Sequence, residues 1–183
     1  MIGVRNHTKQ NFMPCAWNIG LSYHPLIHGV MVGHDRFTYK LLSQSNCFTI
    51  NFVDIKQVPE IRNLGRSSGR EIDKIKKFNI RWSDAEKLDA PVLDDAYLTF
   101  ECIKQKKVSI GDHTLFAGRV VLINIDESAI GGEAETLNLN NINPTLYLGV
   151  DNYITLNKDS RFSLKHLPFH YRHPTKTQRR IKS

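Results

Sequence analysis

Tyr97-Leu98-Thr99-Phe100-Glu101-Cys102 and, beyond Gly111-Asp112, Leu115-Phe116-Ala117-Gly118-Arg119-Val120-Val121-Leu122-Ile123-Asn124-Ile125 decide the fold class of this chain. In the first run Leu98, Phe100 and Cys102 share one face of an extended segment, and Thr99 and Glu101 share the other. That period of two is what a strand requires. The run extends from Tyr97 to Val108, and a second run returns from His113 to Ile125. A Gly-Asp pair between two such runs is a hairpin signal.

Other strands are readable outward from this hairpin. Cys47 to Val53 alternates, with Phe48, Ile50 and Phe52 on one side, and Leu26 to Val32 is an apolar, β-leaning run. Between them Thr38 to Ser45 reads as a short helix, with Asp35 as its N-cap and Leu41 and Leu42 inward. Pro59 to Leu64 reads as a helical turn and Gly65 to Gly69 as a loop. Glu71 to Phe78 reads as a helix with Ile72, Ile75 and Phe78 at helical spacing. Trp82 to Pro91 looks irregular, Asp126 to Pro144 looks like a loop, and Leu146 to Val150 is a short apolar run. Strands outnumber helices and no βαβ alternation is visible. The reading is mainly β with short helices: a closed or nearly closed antiparallel barrel.

The chain has 183 residues, 25 of them Lys or Arg and 18 Asp or Glu. One domain is the expectation at this length. No acidic residue follows Asp159, and that tail holds seven basic ones, which leaves 18 basic against 18 acidic side chains before it. The net charge of +7 is therefore a property of the tail. The domain is placed at residues 1–155 and a basic extension at 156–183. Nucleic acid is not the expected partner, because no recognition motif accompanies the charge. No apolar run is long enough to span a membrane and no signal peptide is visible. Cys15, Cys47 and Cys102 are scattered, which argues against a disulfide framework or a cysteine-built zinc site. His24 and His28 flank Pro25 ahead of a strand, a poor arrangement for a metal pair, so no metal site is expected. A cytoplasmic location is the default.

Five segments in order resemble one family. They are Asn11-Phe12-Met13-Pro14-Cys15-Ala16-Trp17, His34-Asp35-Arg36-Phe37-Thr38-Tyr39, Phe48-Thr49-Ile50-Asn51, Ser68-Gly69-Arg70-Glu71-Ile72-Asp73-Lys74, and the segment from Gly111-Asp112-His113 to Gly118-Arg119-Val120. Each is weak alone. Together they resemble the flavin reductase-like, FMN-binding split-barrel proteins, the group that includes flavoredoxins. The likeness runs from about Asn11 to about Tyr153. Tyr23-His24-Pro25 and His34 depart from the family pattern.

The resemblance implies a Greek-key antiparallel split β-barrel with bound FMN. It also implies an NADH- or NADPH-dependent FMN oxidoreductase that passes electrons to free flavin, ferric iron, a quinone or a redox protein, and a homodimer. The rival reading is a flavoredoxin-type electron carrier without its own nicotinamide site. Arg36, Phe37, Thr38 and Tyr39 open the predicted helix at Thr38, where unpaired N–H groups and the dipole favour an anion, so the phosphate is expected there. Ser22 would offer a hydroxyl to the phosphate or ribityl chain. Lys74, with Ser68 before it, would meet the flavin's polar end. Ala16, Trp17 and Asn18 would border the ring, and Asn51 would reach its edge. His113 is the catalytic candidate, donating a hydrogen bond or orienting the incoming nicotinamide.

Overall fold

A computed structural model describes residues 1–7, 9–131, 136–162 and 178–182. The strands are β1 (Ile2–Arg5), β2 (Gln10–Met13), β3 (Asn18–Ser22), β4 (Ile27–Gly33), β5 (Cys47–Val53), β6 (Trp82–Asp84), β7 (Pro91–Leu93), β8 (Ala96–Ile110), β9 (His113–Asp126), β10 (Ile130–Gly131), β11 (Thr136–Leu137), β12 (Leu146–Gly149), β13 (Asn152–Ile154) and β14 (Gln178–Lys182). The α-helices are α1 (Phe37–Gln44), α2 (Val58–Arg66) and α3 (Lys74–Lys77). Among the described residues no helix is long and apolar enough to cross a membrane.

The main sheet runs β2-β1-β5-β8-β9-β4-β3, and every pair on that path is antiparallel. Its spine is the hairpin of β8 and β9, turned at Gly111 with φ +58 and Asp112. That left-handed φ suits a residue without Cβ. Non-consecutive neighbours, β5 beside β1 and β9 beside β4, wrap the sheet around one core. Val30, Val32, Phe48, Ile50, Cys102, Phe116 and Val120 fill it from the strands, and Leu41 and Leu42 plug it from α1. Lys104 Nζ donates to the carbonyls of Leu42 and Ser43, so a cation closes the C-terminal end of α1.

Four local expectations change. Helix α1 is capped by Arg36 in extended conformation without a side-chain bond, and Asp35 instead pairs with Arg36 Nε at 3.5 Å. The helix expected from Glu71 begins only at Lys74. Glu71 and Ile72 turn back onto Ser68 O, and the Asp73 carboxylate caps α3 by accepting from Lys76 N. Trp82 to Pro91 is not irregular throughout, because β6 and β7 pair across a short hairpin. That hairpin covers the polar face of β5 and β8, so Thr49, Asn51, Thr99 and Glu101 are buried. Finally, β14 in the basic tail lies parallel to β9 from Leu122 to Asp126, along the edge that β4 leaves after Arg119.

Candidate functional site

A cleft of about 820 Å³ opens between the β3–β4 end of the sheet, α2 and the β12–β13 hairpin. Its near wall is the segment before β3. Asn18 Nδ2 donates to the carbonyls of Cys15 and Ala16, both at 3.3 Å, and Asn18 Oδ1 meets His28 Nε2 at 3.0 Å. That clamp fixes the backbone from Cys15 to Asn18, and Trp17 is 61% exposed. Met31 N donates to Trp17 O and ties the segment to β4. Cys15 lies in the same wall. Burial pushes its thiol pKa up, so it sits there as a thiol and not as a nucleophilic thiolate.

His113 stands at the start of β9, its ring 4.8 Å from that of Trp17 and tilted by 38°. Its Nδ1 lies 2.7 Å from Asp112 Oδ1. The imidazole beside Asp112 lowers the pKa of that carboxyl, and a carboxylate only accepts. Nδ1 therefore carries the proton, and in the neutral ring Nε2 is an acceptor. The donor role expected for a neutral His113 does not fit this pairing; acceptance from an incoming N–H does. Nε2 lies near Gly33, where a Cβ would sit 3.5 Å from it and 2.8 Å from Asp35 Oδ1.

The structure brings together Ala16, Trp17, Asn18, Arg36, Asn51 and His113 as lining of one cleft. Asn51 contributes wall but not a free amide. Its Oδ1 accepts from Leu93 N and Thr99 Oγ1, and its Nδ2 donates to Thr49 Oγ1 and Met1 O.

The remaining candidates lie elsewhere. Ser22 pairs with Ile27 at the other end of the β3–β4 hairpin, four residues from Asn18, or roughly 13 Å along a strand. Thr38 is buried and its hydroxyl accepts from Asn11 Nδ2 at 2.8 Å. Phe37 packs against the barrel core, and Tyr39 packs against Phe116 beneath Lys107. Ser68 Oγ accepts from Arg70 N in a local turn. Of the expected phosphate cradle, Arg36 alone faces the cleft.

Lys74 is the largest displacement. It is 4% exposed, and Nζ donates to Phe12 O at 2.6 Å and Leu64 O at 2.9 Å. It pins α3 and the end of α2 to β2. Burial lowers its pKa to about 8. Lys74→Met keeps the stem but strands two carbonyls, a loss of about 2–4 kcal/mol in urea unfolding. If the cleft holds the FMN that the resemblance implies, its affinity should stay within threefold of wild type; a tenfold loss of flavin binding in a folded variant would return Lys74 to the site. Because the folded pKa lies below the unfolded 10.5, wild type gains stability over the variant as pH rises from about 8 toward 10.5.

Residues that sequence reasoning passed over form the far wall. Arg62 and Arg66 of α2, Tyr147 and Tyr153 of the hairpin and Asp151 at its tip all line the cleft. The i,i+4 spacing of the two arginines was visible, but an exposed charged pair reads as a solvated helix face.

The residues present fit FMN. An exposed indole beside an imidazole offers an apolar face for a flat ring. Arg36, 58% exposed in its side chain, offers a cation for a phosphate. The volume lies within the usual range for ligand pockets, about 300–1,000 Å³.

A family model described as "Flavin reductase like domain" matches residues 1–149. The chain is 31% identical to an FMN-binding protein from Thermus thermophilus, solved with bound 1-cyclohex-2-enone. The match covers 89% of this chain and 87% of that one, with a TM-score of 0.79. A flavoredoxin from Methanosarcina acetivorans is 21% identical over 90% of this chain and 87% of that one, again with a TM-score of 0.79, and shares the fold. An uncharacterized protein of Archaeoglobus fulgidus is 26% identical over 84% of this chain and 85% of its own length.

Proposed function

From the premise that the chain belongs to the flavin reductase-like domain family, with its split-barrel fold, we propose that it is an NAD(P)H-dependent FMN oxidoreductase. One observation carries this reading: Trp17, His113 and Arg36 meet in a single large cleft. When bound, FMN supplies a two-electron centre that takes a hydride from NADH or NADPH and passes electrons to an acceptor.

The chain's own residues bind and orient. Trp17 gives the flavin ring a face, the fixed backbone of Ala16 and Asn18 gives its edge a border, and Arg36 attracts the phosphate. His113 Nε2, held acceptor by Asp112, receives an N–H of the nicotinamide carboxamide and sets that ring against the flavin. Hydride transfer depends on such positioning more than on proton movement. The acceptor is a small molecule or a redox protein; the enone bound by the Thermus relative favours a small molecule. Residues 156–183 extend the domain.

The subunit acts as a homodimer. Edge strand β3 and its flanks expose Trp17, Ile19, Leu21 and Tyr23, and the β12–β13 hairpin exposes Leu146, Leu148 and Val150. An apolar sheet edge of this kind seeks cover.

One sample tests the reading. FMN-supplemented protein should be yellow with quenched flavin fluorescence, run as a dimer in light scattering, and bleach with NADH or NADPH without oxygen. Failure to retain FMN would sink it. Retention without bleaching, with reduction only by a protein donor, would make the chain a flavoredoxin-type carrier.

A further inference from the structure

We propose that the far wall of the cleft is a second nucleotide site: Arg62 and Arg66 take a phosphate, and Tyr147 with Tyr153 take the base, of the adenosine half of the hydride donor. The inference rests on the flavin reading for what occupies the near wall.

Arg62 and Arg66 are one turn apart on α2 and share a face. Both reach one oxygen of one carboxylate: Arg66 Nη2 lies 2.8 Å and Arg62 Nε 3.5 Å from Asp151 Oδ2. Two guanidiniums against one carboxylate leave surplus positive charge in the cleft. Their side chains are 60% and 64% exposed, and ion pairs this solvated are cheap to exchange. A phosphate offers more acceptor oxygens than Asp151 and matches the guanidinium fork. Asp151 thus occupies the place of a phosphate oxygen. It is aimed there by the tip of the hairpin, where Val150 and Asp151 have φ of 49 and 58.

Beside the arginines Tyr147 and Tyr153 face each other across β12 and β13, their rings 5.2 Å apart. Cation plus aromatic surface is what a nucleotide needs. The near wall already has such a set in Arg36, Trp17 and His113. FMN carries one ring system and one phosphate, so two sets imply two ligands. The reaction's other nucleotide is the donor.

The test uses FMN-loaded protein, ADP as probe and steady-state kinetics with NADH and NADPH. R62Q/R66Q should raise the Kd of ADP and the KM of the donor at least tenfold, with the FMN Kd within threefold. D151N removes the competing carboxylate, and asparagine tolerates the left-handed backbone; it should tighten ADP several-fold. A misfolded variant cannot produce that gain. Unchanged ADP binding in both variants overturns the proposal. So does a tenfold loss of FMN affinity in R62Q/R66Q, which would assign the arginines to the flavin phosphate. ADP titrated into flavin-free protein separates the two readings. Arginine-dependent ADP binding supports the second site even if FMN does not bind.

Discussion

Replacing Glu101 by glutamine should cost about 2–4 kcal/mol of stability in urea unfolding. Glu101 is fully buried on β8, on the face that alternation marks as polar. Its Oε1 and Oε2 accept from the backbone N–H groups of Glu86 and Lys87, each at 2.8 Å, and Oε1 lies 3.4 Å from Asn124 Nδ2. All three partners are donors. A glutamine keeps one oxygen but turns an NH₂ toward one of the backbone N–H groups, so a strong bond becomes a donor-against-donor contact. Leucine removes that conflict and leaves both N–H groups unpaired, so it should be no better. The damage should centre on residues 85–90, which the carboxylate ties to the sheet, and hydrogen exchange there should rise first. A stability change below about 0.5 kcal/mol in E101Q would show that water replaces the carboxylate at no cost.

That burial also explains what was and was not legible in the sequence. Alternation located β5, β8 and β9, because a strand with unlike faces repeats every two residues whatever covers each face. It could not tell that Thr49, Asn51, Thr99 and Glu101 face a second, polar layer instead of water. That layer is β6–β7, whose short strands and acidic loop carry almost no periodic signal. Asp73 is a similar case: a capping residue four positions before Lys77 ends the possibility of a longer helix, but apolar spacing alone runs past it. For the site, Trp17, Arg36 and His113 are far apart in the chain, and only the ordered family motifs suggested that they meet. Lys74 and Thr38 belong to those same motifs, yet Lys74 Nζ donates to Phe12 O and Leu64 O, and the Thr38 hydroxyl accepts from Asn11. A motif preserves a position; which atoms that position serves depends on packing.

His113→Ala should lower kcat/KM for NADH or NADPH about 10²-fold, the cost of a misplaced reactant. The ring contributes through two contacts: Asp112 fixes its proton on Nδ1 and Trp17 holds its plane. Without it, the acceptor that Asp112 orients beside Trp17 is lost. The FMN Kd should rise less than tenfold, since Trp17 and Arg36 remain. D112N separates orientation from bulk. Its amide can donate to Nδ1 as well as accept, which admits the tautomer with the proton on Nε2 and mispairs it with the donor. Asp112 is 93% exposed in its side chain, so water substitutes in part and the loss should be about three- to tenfold. H113A and D112N combined should be no worse than H113A, because the carboxylate acts through the ring. Stopped-flow reduction of FMN-loaded protein reads all three. If H113A is reduced at the wild-type rate, His113 is a packing partner of Trp17, and orientation of the donor falls to the arginine wall across the cleft.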